Sequence, residues 1–552
     1  MTATASPPAE HRPFALPPDL PRWSLALTVA ALVIGITLRL LQYTAGASLW
    51  LDELALANNL ADRSWSSLLR EPLSYNQVAP PGFVLLHKLV YELAGANDHA
   101  LRAYSLLAGL GSLGAITLVA LRLGLRSCMW LAPMLLGLSG TFAFQSAQLK
   151  PYAGDVFFAL AIVTAALRLH ADADARRFWP AALGAVAPWF SFPAAFVLAG
   201  VGFTLLLSAQ RRRFLGVVSI WAASTLLSIV YSSARLSAET ASTMASFWTT
   251  SVSGFPPSVA AALPWLGTKL QAHLWSDVGL RGVAVWLGIV GVGAFTLWRR
   301  NRFALGFIAF PLLAAALAAL LHRYPLGNRL SLWIAAFLVL LLALAAEAGA
   351  VWLEKRRFRG LAPVPGLAAV AFPVISLASL PPPYRVDHVK PVLAAIAAER
   401  QPNDWLFVYP GAWHAYRYYG AATGFPPERV IIGRCPRHSE REALRTLDTV
   451  RGEARVWVLF AHVSRHKDRQ TLLGYADHIG TKRLSLTYPS PYVVASSSVD
   501  AQLYDFSDAA KLRSAAAETF PIPSGDIPNE QLTCLFGMVP ADPPGSRTAA
   551  EH

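Results

Sequence analysis

Long apolar runs separated by short polar breaks dominate the first two thirds of the chain. They fall near residues 24–45, 100–121, 128–147, 153–169, 179–190, 192–208, 214–233, 280–298, 303–321, 330–350 and 361–379, which predicts about eleven membrane-spanning helices. A shorter run, 80–95, places Phe83, Leu86, Leu89, Val90 and Leu93 on one helical face and His87, Lys88 and Glu92 off it. That pattern predicts an interfacial helix rather than a span. After residue 380 the pattern changes. A helix over 390–400 is followed by a strand over 405–409, an aromatic helix from Trp413 to Tyr419 and a strand over 429–432. Helices near 439–449 and 468–478, and strands near 455–460, 483–487, 491–497 and 501–506, complete an expected mixed sheet with helices packed on it. The expected fold is therefore an all-α polytopic membrane domain, with interfacial helices in its first outer loop, plus a C-terminal soluble α/β domain. Its divisions are expected at 1–22 (a Pro-rich disordered cytoplasmic tail), 23–380 and 381–552.

Composition strengthens this picture. The 552 residues are 54% hydrophobic and 14% charged, with mean hydropathy +0.41, too apolar for an ordinary soluble enzyme. The formal charge of +14 sits in short clusters between apolar runs, so it reads as orientation signal and not as a nucleic-acid surface. With 80–95 on the surface, Arg122/Arg126, Arg168/Arg176/Arg177, Arg211–Arg213, Arg299/Arg300/Arg302 and Lys355–Arg357/Arg359 all share the side of the N-terminus. The N-terminus is then cytoplasmic, and an odd number of spans sends the C-terminal domain outside. Ala45-Gly46-Ala47 resembles a cleavage site, but the preceding run has the length of a span and contains Arg39, so a retained first helix is expected. Arg39 is expected to snorkel to the outer interface.

Candidate chemistry gathers on the outer side. Ser48-Leu49-Trp50-Leu51-Asp52-Glu53 follows the first span directly. Adjacent carboxylates there fit either a helix N-terminus favoured by its dipole or a functional site. The same topology brings Lys88, Arg102, Lys150, Asp155, His322, Arg323 and Arg329 to that face. One carboxylate there can take a proton from a hydroxyl while a second tunes or orients it. Cations near the headgroups can hold a phosphate. Trp50, Trp65 and Tyr75 offer flat faces for sugar rings or, equally, belong to the interfacial aromatic belt.

Leu49-Trp50-Leu51-Asp52-Glu53, Gln77-Val78-Ala79-Pro80-Pro81-Gly82, Leu101-Arg102 with Ser105, and Gln148 to Asp155 resemble the GT-C glycosyltransferases. The resemblance is to the protein O-mannosyltransferase and aminoarabinose transferase branch. Tyr324-Pro325-Leu326-Gly327-Asn328-Arg329 is similar to a later motif of that branch. It spans roughly residues 24 to 350 and implies transfer of a sugar from a polyprenyl-phosphate donor to a hydroxyl acceptor on a glycan, lipid or protein, with inversion. It further implies Asp52 as general base with Glu53 as support, and Asp155 as a second acidic position. Arg329 would bind the donor phosphate with Lys150 as a second cation, and Trp50, Tyr152 and Arg102 would contact substrate. Where the branch often has a lysine before the first proline, this chain has Ala79 and Pro80; Lys88 is the candidate replacement, with a snorkelling lysine as the alternative. No metal or other cofactor is required by any His, Cys and carboxylate cluster in the sequence. Cys435 and Cys534 both fall outside the membrane and are expected to pair as a disulfide, whereas Cys128 lies on the cytoplasmic side. A transporter or flippase is the alternative class, but it would more often bury its charges at mid-bilayer in paired halves.

Overall fold

The computed structural model describes residues 20–522 apart from 173, 251–252, 281–282, 434–439, 464–465, 489–497 and 515–516. Among the described residues six helical segments are long and apolar enough to cross a membrane: Arg22–Thr44, Asp98–Arg122, Tyr152–Ala171, Arg211–Ala234, Arg302–Leu320 and Asn328–Lys355. They mark a multi-pass membrane protein. Eleven were expected; the other expected runs form shorter helices or fall below that threshold, among them Ala194–Leu206 and Val364–Ser379.

The run at 128–147 is not one span. It breaks at Ser139 into helices Leu131–Leu138 and Gly140–Gln145. Ser139 is extended, its hydroxyl accepts the Phe142 N–H, and it donates to the carbonyl of Asp277. A serine that can satisfy backbone groups locally competes with helix continuation and instead caps a new turn. Arg39 does not snorkel. It lies buried between helices, donating to the carbonyls of Gly35 at 3.1 Å and Leu136 at 3.3 Å. Elsewhere the helices meet closely. A Cβ on Gly200 would lie 2.2 Å from the backbone nitrogen of Pro311, so only a residue without a side chain lets Ala194–Leu206 approach Arg302–Leu320 this way.

The helix Pro81–Ala94 forms as expected, but two of its polar residues are packed inside the protein. Phe83, Val84, His87 and Lys88 are buried, whereas Leu89 and Leu93 are exposed. Polar partners inside the loop make the difference: His87 bonds to the carbonyl of Phe83, and Lys88 donates to that of Leu60.

The C-terminal strands make one five-stranded sheet in the order β2-β1-β3-β5-β4. They are β1 (Trp405–Val408), β2 (Val430–Ile432), β3 (Val456–Phe460), β4 (Thr481–Tyr488) and β5 (Val499–Asp505). β2, β1 and β3 run parallel, while β5 and β4 are antiparallel to their neighbours. Side chains alternate between two cores, as a period of two requires. Leu406, Val408, Trp457, Leu459, Ala501 and Leu503 face a core shared with Leu49, Leu54, Leu56, Leu60 and Phe83. Phe407, Ile431, Val458 and Phe460 face a second core with Leu444, Leu472 and Tyr475. The segment that follows the first helix is therefore one of the two layers covering the sheet. Trp413 and His414 are buried in that contact, and His414 bonds to Asn58 at 3.0 Å. The expected strand at 491–497 and the expected Cys435–Cys534 pair lie outside the described residues; Cys128 is buried.

Candidate active site

The stretch 48–53 is held from three directions before any ligand is considered. Ser48 N–H donates to His388 Nδ1 and Leu49 N–H to the Tyr419 hydroxyl, each at 2.9 Å. Tyr419 in turn donates to Asp98 at 2.7 Å, and Lys390 ion-pairs with the same carboxylate. The helix Leu51–Asp62 then starts with Asp52 and Glu53 in its first turn, where acidic groups complement the dipole. The two carboxylates meet different partners.

Glu53 is the structural member. Its carboxylate accepts from Arg102 Nε at 2.9 Å and Nη2 at 2.6 Å, from Leu149 N–H at 2.5 Å and from Trp50 N–H at 3.3 Å. Arg102 also donates to the carbonyls of Ala47 and Ser48. Four donors on a fully buried carboxylate leave no lone pair for a hydroxyl substrate, so Glu53 and Arg102 join the first loop to the turn around Leu149. Ser105 secures that turn by donating to the carbonyls of Gln148 and Lys150.

Asp52 points elsewhere. It ion-pairs with Arg329, a residue that arrives from far along the chain. Burial pushes its carboxyl up, but Arg329, Lys150 and His462 outweigh burial and hold it below the ordinary value. Lys150 is buried and donates to Gln77 Oε1 at 2.7 Å; burial lowers its ammonium to about 8, against the opposing pull of Asp52. Arg329 also lies over two aromatic rings, 5.1 Å from the centre of Trp50 and 5.6 Å from that of Tyr152. Trp50 is itself fixed by donating Nε1–H to Gln148 at 2.5 Å.

The turn that carries Arg329 is clamped. Leu326 N–H donates to the carbonyl of Gly254 and the Tyr324 hydroxyl to that of Leu330. Asp277 accepts from His273 Nδ1 at 2.5 Å, and His273 Nε2 meets Ser331 Oγ at 2.9 Å. This Ser–His–Asp chain has the order of a hydrolytic triad, but Ser331 is wholly buried. It holds the 3₁₀ turn Asn328–Ser331 in place.

Arg329, Trp50 and His462 line a cavity of about 420 Å³, together with the polar residues Ser276, Asp277 and Tyr384. The rest of its wall is mainly apolar, with Leu138, Phe144, Val278, Pro373, Leu377 and Leu380 drawn from both sides. The break at Ser139 contributes directly, since Ser139, Gly140 and Thr141 line the cavity as well. A mainly apolar cavity with a guanidinium in its wall suits an amphiphile with one anionic group.

Neither a family model nor a curated protein matches the chain. Among solved structures it is similar to ArnT from Cupriavidus metallidurans bound to undecaprenyl phosphate, at 14% identity over 89% of this chain and 98% of that one, with a TM-score of 0.48. It is similar to the Archaeoglobus fulgidus oligosaccharyltransferase in the apo form, at 14% identity over 86% and 74% of the two chains, with a TM-score of 0.46. A third likeness is to the arabinofuranosyltransferase AftD from Mycobacteria, at 16% identity over 88% of this chain and 40% of that one, with a TM-score of 0.33. These are likenesses of coarse outline. Nothing about the chemistry of this chain follows from them.

Of the residues picked from the sequence, Trp50, Asp52, Lys150, Tyr152 and Arg329 converge, with Glu53 and Arg102 directly behind them. Asp155 is buried apart from the Arg329 ion pair. One of its oxygens has no hydrogen-bond partner among the described residues, and its electrostatic neighbours include Tyr104, Tyr152 and Tyr324. Lys88 stands away from the cavity, bound to Leu60 and 3.4 Å from Glu92. Tyr75 packs edge-on to Trp413 and His414, and Trp65 donates to Glu92, so neither faces the cavity. Sequence reasoning missed His462, His273 and Ser331. Gln77 and Gln148 were inside quoted motifs but carried no role. His462 had one faint signal, its place just after a wholly apolar strand. No group of three or more His, Cys, Asp or Glu placed to hold a metal ion occurs among the described residues.

Proposed function

We propose that this protein is an inverting membrane glycosyltransferase that moves a monosaccharide from a polyprenyl-phosphate donor to a hydroxyl acceptor at the outer face of a bacterial inner membrane. The observation that carries this reading is Arg329, which lines a mainly apolar cavity and behind that wall is ion-paired with Asp52. The apolar wall suits the phosphate-proximal isoprenyl units of such a donor, and the guanidinium suits its phosphate.

The step needs four participants. The acceptor oxygen bonds to the anomeric carbon from the face opposite the phosphate, and its proton passes to Asp52. The anomeric carbon–oxygen bond breaks with its electron pair going to the phosphate, which leaves as polyprenyl phosphate. Arg329, with Lys150 behind it, stabilises the charge that grows there. An ion-paired Asp52 is a weak base at rest. A phosphate that draws Arg329 toward itself frees Asp52, and burial then raises its proton affinity at the moment it is needed. Glu53 and Arg102 support this geometry without touching substrate.

The test is purified full-length protein supplied with a panel of polyprenyl-phosphate sugars, wild type beside Asp52→Asn. The isosteric amide is expected to lower turnover by roughly 10²- to 10⁴-fold while donor still binds. Equal donor consumption by the two proteins would remove Asp52 from the mechanism.

A further inference from the structure

Two layers of the molecule contribute polar side chains to the cavity wall. Arg329 and Trp50 come from the helical part and its first loop, and His462 comes from the sheet-bearing segment, two residues beyond β3. The His462 ring lies 6.5 Å from that of Trp50. Its Nδ1 donates to Asp387 Oδ2 at 2.7 Å, and that carboxylate is buried. The hydrogen bond fixes the ring and leaves Nε2, at the opposite edge, as the nitrogen free to meet a ligand. Asp387 Oδ1 is buried without a hydrogen-bond partner among the described residues, so its charge leans on His462. Both residues have left-handed backbones, with φ of 47° at Asp387 and 49° at His462. Side chains other than glycine rarely adopt that conformation, and it persists only where the surroundings dictate it.

We propose that His462 is a second cationic contact for the donor phosphate beside Arg329, and that Asp387 is the positioning residue that turns the imidazole toward it; the proposal rests on the lipid-phosphate reading above. A guanidinium fork takes two phosphate oxygens, and an imidazolium Nε2–H takes a third. During transfer the phosphate goes from a diester with one negative charge toward a monoester with two. A second cation therefore binds the departing phosphate more tightly than the intact donor, which is the kind of binding that accelerates the step. The charged groups that face His462 are Asp387, Asp52 and Arg329. Burial opposes the imidazolium, but Asp387 and Asp52 together hold its proton affinity above the ordinary value against Arg329. The contact also gives the sheet-bearing segment a part in the chemistry.

The test compares binding of farnesyl phosphate and farnesol to the purified full chain, for wild type, His462→Ala, His462→Gln, Asp387→Asn and Arg329→Ala. Wild type is expected to prefer the phosphate. His462→Ala should lose about tenfold of that preference, the worth of one charge-assisted hydrogen bond, with farnesol affinity unchanged. His462→Gln, whose amide N–H reaches a similar point, should recover part of it. Asp387→Asn should lose the preference at a lower pH than wild type as pH rises, which loss of packing alone would not produce. If His462→Ala keeps the wild-type preference while Arg329→Ala loses it, the proposal fails and the function stands. If wild type does not distinguish the two compounds, the lipid-phosphate reading fails first and takes this proposal with it.

Discussion

Glu53→Gln separates the two neighbouring carboxylates by what each does. The wild-type carboxylate is fully buried and accepts two N–H groups of Arg102 and two backbone N–H groups. Glutamine keeps the volume but removes the charge, and its NH₂ must face a donor of Arg102, Leu149 or Trp50. The guanidinium then stays buried without the carboxylate that neutralised it, held by the carbonyls of Ala47 and Ser48 and at most one amide oxygen. Breaking a buried ion pair from one side costs about 3–5 kcal/mol, because the other charge is left uncompensated. Removing both charges, in Glu53→Gln with Arg102→Met, leaves no orphan and should be less damaging than Glu53→Gln alone. The assay is resistance to denaturant in one fixed detergent, followed by tryptophan fluorescence for all four proteins of the cycle. A Glu53→Gln protein within about 0.5 kcal/mol of wild type would refute the reasoning, because that is the range of surface changes. So would a double variant that loses the sum of the two single losses. Turnover per folded molecule supplies the contrast, since Glu53→Gln should retain far more of it than Asp52→Asn.

Three other outcomes are expected. Lys150, lowered to about 8 by burial, should give donor binding an alkaline limb with a midpoint near that value; Lys150→Arg should push the limb to higher pH, and a limb unmoved in that variant would count against Lys150. Ser331→Ala removes the hydrogen bond between His273 and the turn that carries Arg329, so donor affinity should fall several-fold with a stability loss of only about 1 kcal/mol; titration with farnesyl phosphate beside a thermal melt reads both. Burial and nearby cations lower His388 to about 4, and its neutral Nδ1 accepts from Ser48. The unfolded chain therefore takes up protons there that the folded chain refuses, so stability should decline as pH falls from about 6.5 toward 4, less steeply in His388→Gln.

Several features could be read ahead of the structure because they depend on near neighbours in sequence. The C-terminal strands showed themselves by alternation and apolar runs, and β1, β2, β3 and β5 carry that alternation into two separate cores. Asp52 and Glu53 were visible as adjacent carboxylates after an apolar run. Their division of labour was not, because it depends on which of them meets Arg102. Lys88 in Pro81–Ala94 shows the same limit. Periodicity gave the apolar stripe, but the carbonyl of Leu60, 28 positions away, accepts from Lys88 and accompanies its burial. Arg39 looked like a residue bound for water, and two backbone carbonyls from packed helices kept it inside instead.

Composition and hydropathy alone made this a chain of membrane helices followed by a sheet, since burying an apolar face is a demand each segment states for itself. The site answers to a different rule. Asp52 and Arg329 are 277 positions apart, and His462 comes from another layer altogether. Charges that distant meet only when helices, loop and sheet have packed, and their value to one another exists only in the buried space that packing creates.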